Sequence, residues 1–451
     1  MPSPRARGSL GQRLRRAPGR GLAPVRRHLG ALDRRRRAAA GARKSDRRSA
    51  ARSRRGARAG HEGRGSAAGA GPRMIWTGEV NRPYAFDAEV GFYDTTLRDG
   101  EQTVGVVLDP QQKLEIARGL AGAGVERIEA GFPRVSADDW EAVRLIVEAG
   151  LPAEIWGFSR AVRADVEALV ELGVKASVIE SPISDLKLGA LGVSREEMLK
   201  RIREAVAYAV GSGITVAYFG VDSTRADPSF FDEAYATAVE AGAAEVVVVD
   251  TIGVATPEAV HELVGRVRKL GPVHFHGHND FGLATANAIA AVRAGARWIH
   301  GTINGMGERA GNANIGEVAL ALRALWGVET GIDFTRIRDL GDLVRELSGY
   351  ELEPWKPLVG ENLFRRESGA VASQFHDPPS IEPYSSELVG AKRSIVLGKK
   401  SGIDSIRIKC EELGLELSAE VQRELLEAVK RLGAEKRGLV TDDEFRELAR
   451  A

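Results

Sequence analysis

The amino-acid sequence predicts an α/β fold: a closed (β/α)8 barrel of the TIM type over residues 82–330, followed by a mainly helical region over residues 340–451. Three observations carry this prediction. Eight short β-rich runs follow one another from residue 90, each separated from the next by an amphipathic segment of helical length. Such alternation calls for a parallel sheet, and eight units in this length suit a closed barrel better than an open doubly wound sheet. No glycine-rich phosphate fingerprint follows the first run, so a dinucleotide-binding sheet has little support.

The runs, in order, are VGFYDTTL from residue 90, VERIEAGF from 125, EIWGFS from 154, ASVIES from 176, TVAYFGVD from 215, EVVVVDT from 245, VHFHGHN from 273 and RWIHGTI from 297. The segments between them, such as DPQQKLEIARGLAGAG and TPEAVHELVGRVRKLG, place apolar residues at helical spacing and carry caps and glycines at their ends. The glycines in AGAGVE, ELGVKA, AGAAEV and RAGARW stand just before strands, where helix C-caps belong.

A chain of 451 residues with 43% hydrophobic content has room for one large domain and a smaller one. It contains no apolar run of about 18 residues and opens on no signal pattern, so neither a membrane span nor secretion is supported. The single Cys410 excludes an internal disulfide framework and a cysteine-based zinc site, and suits a reducing cytoplasm. The net charge of +2 conceals two unlike pieces. Residues 1–73 carry 21 Arg and one Lys against Asp33, Asp46 and Glu62, a net of +19; the other 378 residues carry 42 basic and 59 acidic groups, a net of −17. The first piece has almost no large apolar residues to offset its ordering entropy, and it is expected to be disordered. Such an arm can serve nucleic acid or an anionic surface, or act as an organelle transit peptide. However, no aromatic residue interleaves its arginines to stack on bases, and Met74 opens an ordinary segment, MIWTGEVNRPY. The preferred reading is translated upstream sequence, with nucleic acid not a partner.

In HFHGHND, residues 274–280, strand alternation puts His274, His276 and His278 on one face and Phe275 and Gly277 on the other. Barrel chemistry sits at the C-terminal strand ends, and those ends are polar here. Strand one delivers Arg98, Asp99, Glu101 and Gln102; strand two Glu129; strand three Ser159 and Arg160; strand four Ser181. Strand five gives Asp222 and Thr224, strand six Asp250 and Thr251, strand seven His276 and His278. NGMGERAGNAN, after strand eight, adds Asn304, Glu308, Arg309, Asn312 and Asn314. At such a position the histidine pair reads as metal ligands rather than as the polar face of a strand. Two imidazoles, a carboxylate and an amide oxygen form a thiolate-free set that suits Mg²⁺, Mn²⁺, Fe²⁺, Co²⁺ or Zn²⁺ with positions open to substrate. Asp99 is the best carboxylate, its alternative being a helix cap before DGEQ. Arg98 offers a positive fork to an oxyanion or a substrate carboxylate, its alternative being a surface ion pair.

DTTLRDGEQ (94–102), IEAGFP (128–133), DTIGVATPE (250–258), HFHGHNDFG (274–282) and NGMGERAGNANIGEVA (304–319) resemble the DRE-TIM metallolyase superfamily, and most of all its homocitrate synthase and 2-isopropylmalate synthase family. The resemblance implies a Claisen-type condensation of acetyl-CoA, the co-substrate, with a 2-oxo acid. It implies that Asp99, His276 and His278 hold a divalent ion, with Asn312 near or on it. It also implies that Arg98 stabilises the oxygen that becomes alkoxide and that Thr251 bonds the substrate carboxylate, with Arg160 a further candidate. GENLFRRESGAVASQFHDPPSIEPYSSELVGAKRSIVLGKKSG is similar to the family's linker and lid, which implies a homodimer whose lids are exchanged between subunits. A domain-sized allosteric region is not expected beyond the lid, nor is leucine inhibition through one.

Three positions depart from the family pattern. Val371 of SGAV stands where the family carries the His thought to assist proton removal, so His376 or Tyr384 becomes the candidate replacement, unless His376 is only a surface residue. Val221 of VDSTR stands where a Glu is usual and can neither orient Arg98 nor ligate, and Lys187 of SDLKLG stands where a family His is usual. The metal and 2-oxo acid core is therefore expected to be kept while the 2-oxo acid changes. A homocitrate synthase-like reaction is expected first; 2-isopropylmalate, citramalate and 2-phosphonomethylmalate synthases are the alternatives, the last because Lys187 and Arg160 suit an extra anion. Two rival classes are a lyase like 3-hydroxy-3-methylglutaryl-CoA lyase and a catalytically retired barrel serving as an interaction protein. The segment ending in VLGKKSG argues against the first, and the retention of Arg98, Asp99, His276 and His278 against the second.

Overall fold

The computed structural model describes residues 74–450, so the reading of residues 1–73 as a disordered upstream extension lies outside the described residues. Eight parallel strands close into a barrel in sequence order: β1 Gly91–Asp94, β2 Arg127–Glu129, β3 Glu154–Arg160, β4 Ala176–Pro182, β5 Thr215–Val221, β6 Glu245–Asp250, β7 Val273–Gly277 and β8 Trp298–Gly301. β8 returns to β1 with Gly91 opposite Trp298 and Asp94 opposite Gly301. Each of the eight β-rich runs carries one of these strands, β3 and β4 extending one residue beyond theirs, to Arg160 and Pro182.

The connecting helices form where the sequence supplies their caps. α1, Pro110–Gly122, opens on a capping box in which the Asp109 carboxylate accepts from the Gln112 amide at 2.8 Å and the Gln112 side chain accepts from the Asp109 amide at 2.9 Å. α2, Ala137–Glu148, is capped by Ser136. α3 spans Arg163–Glu171, and α4, Asp185–Leu191, is capped by Ser184. α5 covers Arg195–Gly211, α6 Pro228–Glu240, α7 Pro257–Val267 and α8 Ala284–Ala294. α6 and α7 repeat one device, an Asp or Thr cap followed by proline at the first helical position. None of the described helices is long and apolar enough to cross a membrane.

Small, β-branched and aromatic side chains pack the barrel interior, including Tyr93, Trp156, Val178, Phe219, Val247 and Val249. Among them runs a buried polar chain: Arg127 pairs with Glu245 at 2.6 Å, Glu245 bonds His274 Nε2 at 2.5 Å, and His274 Nδ1 meets His300 Nε2 at 2.9 Å. His300 stacks on Tyr93 with centroids 4.0 Å apart. Burial lowers the proton affinity of His274 and His300, so both stay neutral near pH 7. The first histidine of the HxHxH run is thus a structural member of this chain.

After the barrel, α9 (Ile315–Ala321) and α10 (Phe334–Ser348) lead to a short two-stranded parallel sheet, β9 Arg365–Arg366 with β10 Ser394–Ile395. α11, Gly369–Ala372, follows β9. α12 Ile403–Leu413, α13 Ala419–Lys436 and α14 Asp442–Arg450 then build a separate small core around Ile406, Leu425, Val429 and Phe445. Cys410 is buried in that core as a packed thiol.

Candidate metal centre and active-site cleft

The turn after β1 is set by its own hydrogen bonds. The Asp94 carboxylate accepts from the Thr96 amide and hydroxyl, both at 2.8 Å, and the Asp99 amide donates to the Thr95 carbonyl at 2.8 Å. This brings Asp99 under the inward-facing histidines of β7 and the residue that follows it. Asp99 Oδ2 lies 3.1 Å from His276 Nε2 and 3.7 Å from His278 Nε2, and the two Nε2 atoms are 3.3 Å apart. All three side chains are buried.

The donor set fits a divalent ion. Asp99 Oδ2 and Asn312 Oδ1 are buried without a hydrogen-bond partner among the described residues, a costly arrangement unless a cation draws on them. Burial, followed by the neighbouring His276, lowers the His278 imidazole to about 4, so it is neutral near pH 7 and has a lone pair to give. Burial pushes the Asp99 carboxyl up, but Arg98 and the two imidazoles outweigh it and hold the group well below the usual carboxylate range. Asn312 bridges to His278 through the backbone and donates its amide to the Met306 carbonyl at 3.0 Å, which leaves the amide oxygen as its free end.

Arg98 is clamped beside this centre. Its Nε donates to Glu129 in a short bond, one terminal nitrogen lies 3.6 Å from Asp99, and the guanidinium stands 4.2 Å over the Phe158 ring. The other terminal nitrogen is buried without a partner among the described residues. Glu129 in turn accepts from the Tyr93 hydroxyl at 2.9 Å. The substitution at Val221 therefore does not leave Arg98 unheld, because Glu129 of IEAGFP orients it. Thr251 Oγ1 accepts from the Asp222 amide at 2.7 Å, which leaves the hydroxyl proton free to donate into the cleft.

Arg98, Asp99, Thr251, His276 and His278 line one cleft of about 540 Å³ at the C-terminal mouth of the barrel. Phe132, Phe158, Phe219, Val221 and Val249 form its apolar wall, with Glu180 and Lys187 set into it. Glu101 and Asp139 line another part of it, both bonded to the buried Lys113, at 2.5 and 2.6 Å.

Several expected residues are elsewhere. Ser181 does not face the mouth: its hydroxyl pairs with the buried Tyr218 hydroxyl at 2.7 Å, and Glu180 is the β4 residue that lines the cleft. Asp222 is taken by Arg225 at 2.7 Å and Ser184 at 2.5 Å, and Asp250 accepts from the Thr224 hydroxyl and the Val254 and Ala255 amides. Arg160 pairs with Asp165 at 2.7 Å, remains half exposed and does not line the cleft. His376 is exposed against Phe375, with ring centroids 5.6 Å apart, and does not line the cleft of its own chain. Tyr384 packs on Phe364, and burial pushes its hydroxyl up to about 12, which disqualifies it as a base near pH 7. Glu180 was legible from the alternation of Ala176, Val178 and Glu180 on one face, but a one-residue slip along a strand exchanges the faces.

A barrel with an Asp–His–His cluster at its mouth, a clamped arginine and a helical extension has the parts of an enzyme that polarises a substrate oxygen with a divalent ion. Comparison with known proteins makes the assignment specific. Residues 89–344 match the HMGL-like family and residues 358–437 match the homocitrate synthase post-HMGL domain-like family. The homocitrate synthase AksA of Methanopyrus kandleri is 45% identical over 376 residues, which are 82% of this chain and 94% of that protein. The 2-isopropylmalate synthase of Sulfurisphaera tokodaii is 42% identical over 367 residues, 80% of this chain and 95% of that protein. Among solved structures, the HMG-CoA lyase of Brucella melitensis superimposes with a TM-score of 0.53 at 21% identity, over 58% of this chain and all of that one, a likeness of fold. The chain belongs to the HMGL-like (DRE-TIM) family, in its homocitrate synthase and 2-isopropylmalate synthase branch, and is an enzyme of the acyl-transferring synthase class.

Proposed function

We propose that this protein condenses acetyl-CoA with a 2-oxo acid in a metal-dependent Claisen-type reaction and forms a homocitrate-like hydroxy acid. The observation that carries the reading is the convergence of Asp99, His276 and His278 beside an arginine with one guanidinium nitrogen unpaired among the described residues. These three side chains would hold the divalent ion, with the Asn312 amide oxygen as a further ligand. An ion bound there supplies a Lewis acid for the carbonyl of the 2-oxo acid. Arg98, fixed by Glu129, donates to the oxygen that gains charge as the new bond forms. Thr251 donates its free hydroxyl proton to the substrate carboxylate. The aromatic wall displaces water from the reacting atoms and strengthens both contacts.

Lys187 lines the cleft and has no ion-pair partner among the described residues, which suits the far carboxylate of a dicarboxylic 2-oxo acid such as 2-oxoglutarate. The tie between Arg160 and Asp165 counts against the phosphonate-bearing alternative, which needs a second free cation. The working form is a homodimer, with the region around His376 as the lid over the neighbouring subunit's cleft. The match of residues 358–437 to the post-HMGL region supports the synthase direction over lyase chemistry.

Asp99→Ala and His276→Ala are each expected to abolish Mn²⁺ binding, measured by equilibrium dialysis, together with release of the CoA thiol. Val371→His is expected to be tolerated. Full activity in either metal-site variant would refute the assignment.

A further inference from the structure

The acyl methyl group must lose a proton before it can attack, and the position where the family pattern puts a histidine for this task holds Val371. Resting on the condensation reading above, we propose that Glu180 is the general base that takes this proton.

The other buried acidic groups at the cleft are engaged. Asp99 faces the imidazoles, Glu129 accepts from Tyr93 and Arg98, and Glu101 and Asp139 bind Lys113. Asp138 and Glu308 are exposed at the rim. The Glu180 carboxylate has neither a hydrogen bond nor an ion pair among the described residues, although the residue is largely buried and lines the cleft. It stands on the inner face of β4, paired in register with Phe219 of β5 and Arg160 of β3, on the wall that also carries Phe132, Phe158 and Val221. An unpartnered carboxylate among aromatic rings is unfavourable for folding alone, and its retention at a cleft wall marks a functional group. Val221 suits this role for Glu180, because a carboxylate there would add a like charge beside it at the mouth.

The surroundings also set a suitable proton affinity. Burial raises the Glu180 carboxyl, Arg98 from the loop after β1, Arg160 from β3 and Lys187 from α4 lower it, Glu129 from β2 raises it, and the balance is about 7. A base matched to neutral pH is the arrangement general-base catalysis favours. In the step, a Glu180 oxygen takes the methyl proton and the C–H electron pair forms the enolate, whose charge rests on the thioester oxygen. The enolate carbon attacks the keto carbon of the 2-oxo acid, and the displaced π pair moves to the keto oxygen beside Arg98. The alkoxide takes a proton from solvent to become the hydroxyl, water cleaves the thioester to a carboxylate and the free CoA thiol with release of one proton, and Glu180 returns the methyl proton to solvent.

The test compares the full chain with Glu180→Gln, which is nearly isosteric, by thiol release from acetyl-CoA across pH 5.5–9 with a panel of 2-oxo acids. Mn²⁺ binding and melting temperature are measured on both to establish that the variant folds and keeps its metal centre. The rate of the parent chain should rise with pH through about 7, because the base works deprotonated. In Glu180→Gln it should fall by about 100-fold or more, the rising limb should vanish, and the isotope effect with trideuterated acetyl-CoA should increase, all with Mn²⁺ affinity unchanged. A folded, metal-binding Glu180→Gln that keeps its rate within threefold and retains the limb would overturn Glu180 as the base and leave the condensation reading standing. Loss of the limb in His376→Ala but not in Glu180→Gln would overturn it equally. A parent chain silent with every 2-oxo acid while holding Mn²⁺ would remove the condensation reading itself, and this inference with it.

Discussion

Arg98 gives one guanidinium nitrogen to Glu129, brings a second near Asp99 and keeps a third, in a buried site, without a partner among the described residues. This division of labour depends on a residue that touches no substrate: the Tyr93 hydroxyl holds the far oxygen of Glu129 at 2.9 Å. Tyr93→Phe preserves the stack on His300 and removes only that bond. It is expected to lower kcat by about tenfold, with the KM for the 2-oxo acid and Mn²⁺ affinity nearly unchanged, in a steady-state comparison at saturating metal. Equal changes in KM and melting temperature with kcat intact would show a purely structural role. At this scale the meeting of Asp99, His276 and His278 was legible, because strand alternation and position at a strand end both follow from sequence. Glu180 was missed in favour of Ser181, since the side a strand presents depends on a register that single residues do not announce. Arg160 was read as free because its partner Asp165, five residues on in α3, looks like an ordinary helix-start acid until the turn between them is known.

The loop after β8 shows how an element positions a ligand. Gly311 has φ +80°, and a Cβ there would come within 1.9 Å of the Gly305 carbonyl oxygen, one residue before Asn312. Gly311→Ala is therefore expected to destabilise the fold by about 3 kcal/mol and to weaken metal binding, as measured by thermal unfolding with and without Mn²⁺. An unchanged melting temperature would show that the loop relaxes freely. The strands and major barrel helices were legible because β-rich runs, caps and terminal glycines recur in every unit. The buried chain Arg127, Glu245, His274 and His300 was not, since its members come from four strands and meet only when the barrel closes.

For the molecule as a whole, the charge division at residue 73 remains the clearest boundary in the sequence. A chain begun at Met74 is expected to match the full chain in melting temperature and turnover, since Met74 and Ile75 already pack against the core; a lower melting temperature would give the Arg-rich piece a structural role. The order of the barrel was legible at this scale because alternating units admit few topologies. The choice of 2-oxo acid was not, because it depends on the shape of one cleft wall assembled from β2 to β6. The decisive experiment is release of free thiol from acetyl-CoA by the purified chain with Mg²⁺ or Mn²⁺ and each of 2-oxoglutarate, oxaloacetate, pyruvate, 3-methyl-2-oxobutanoate and phosphonopyruvate, with and without chelator. Release that one 2-oxo acid elicits and chelator abolishes is the expected result; no release from a chain that demonstrably binds metal, or release indifferent to chelator, would contradict metal-dependent condensation.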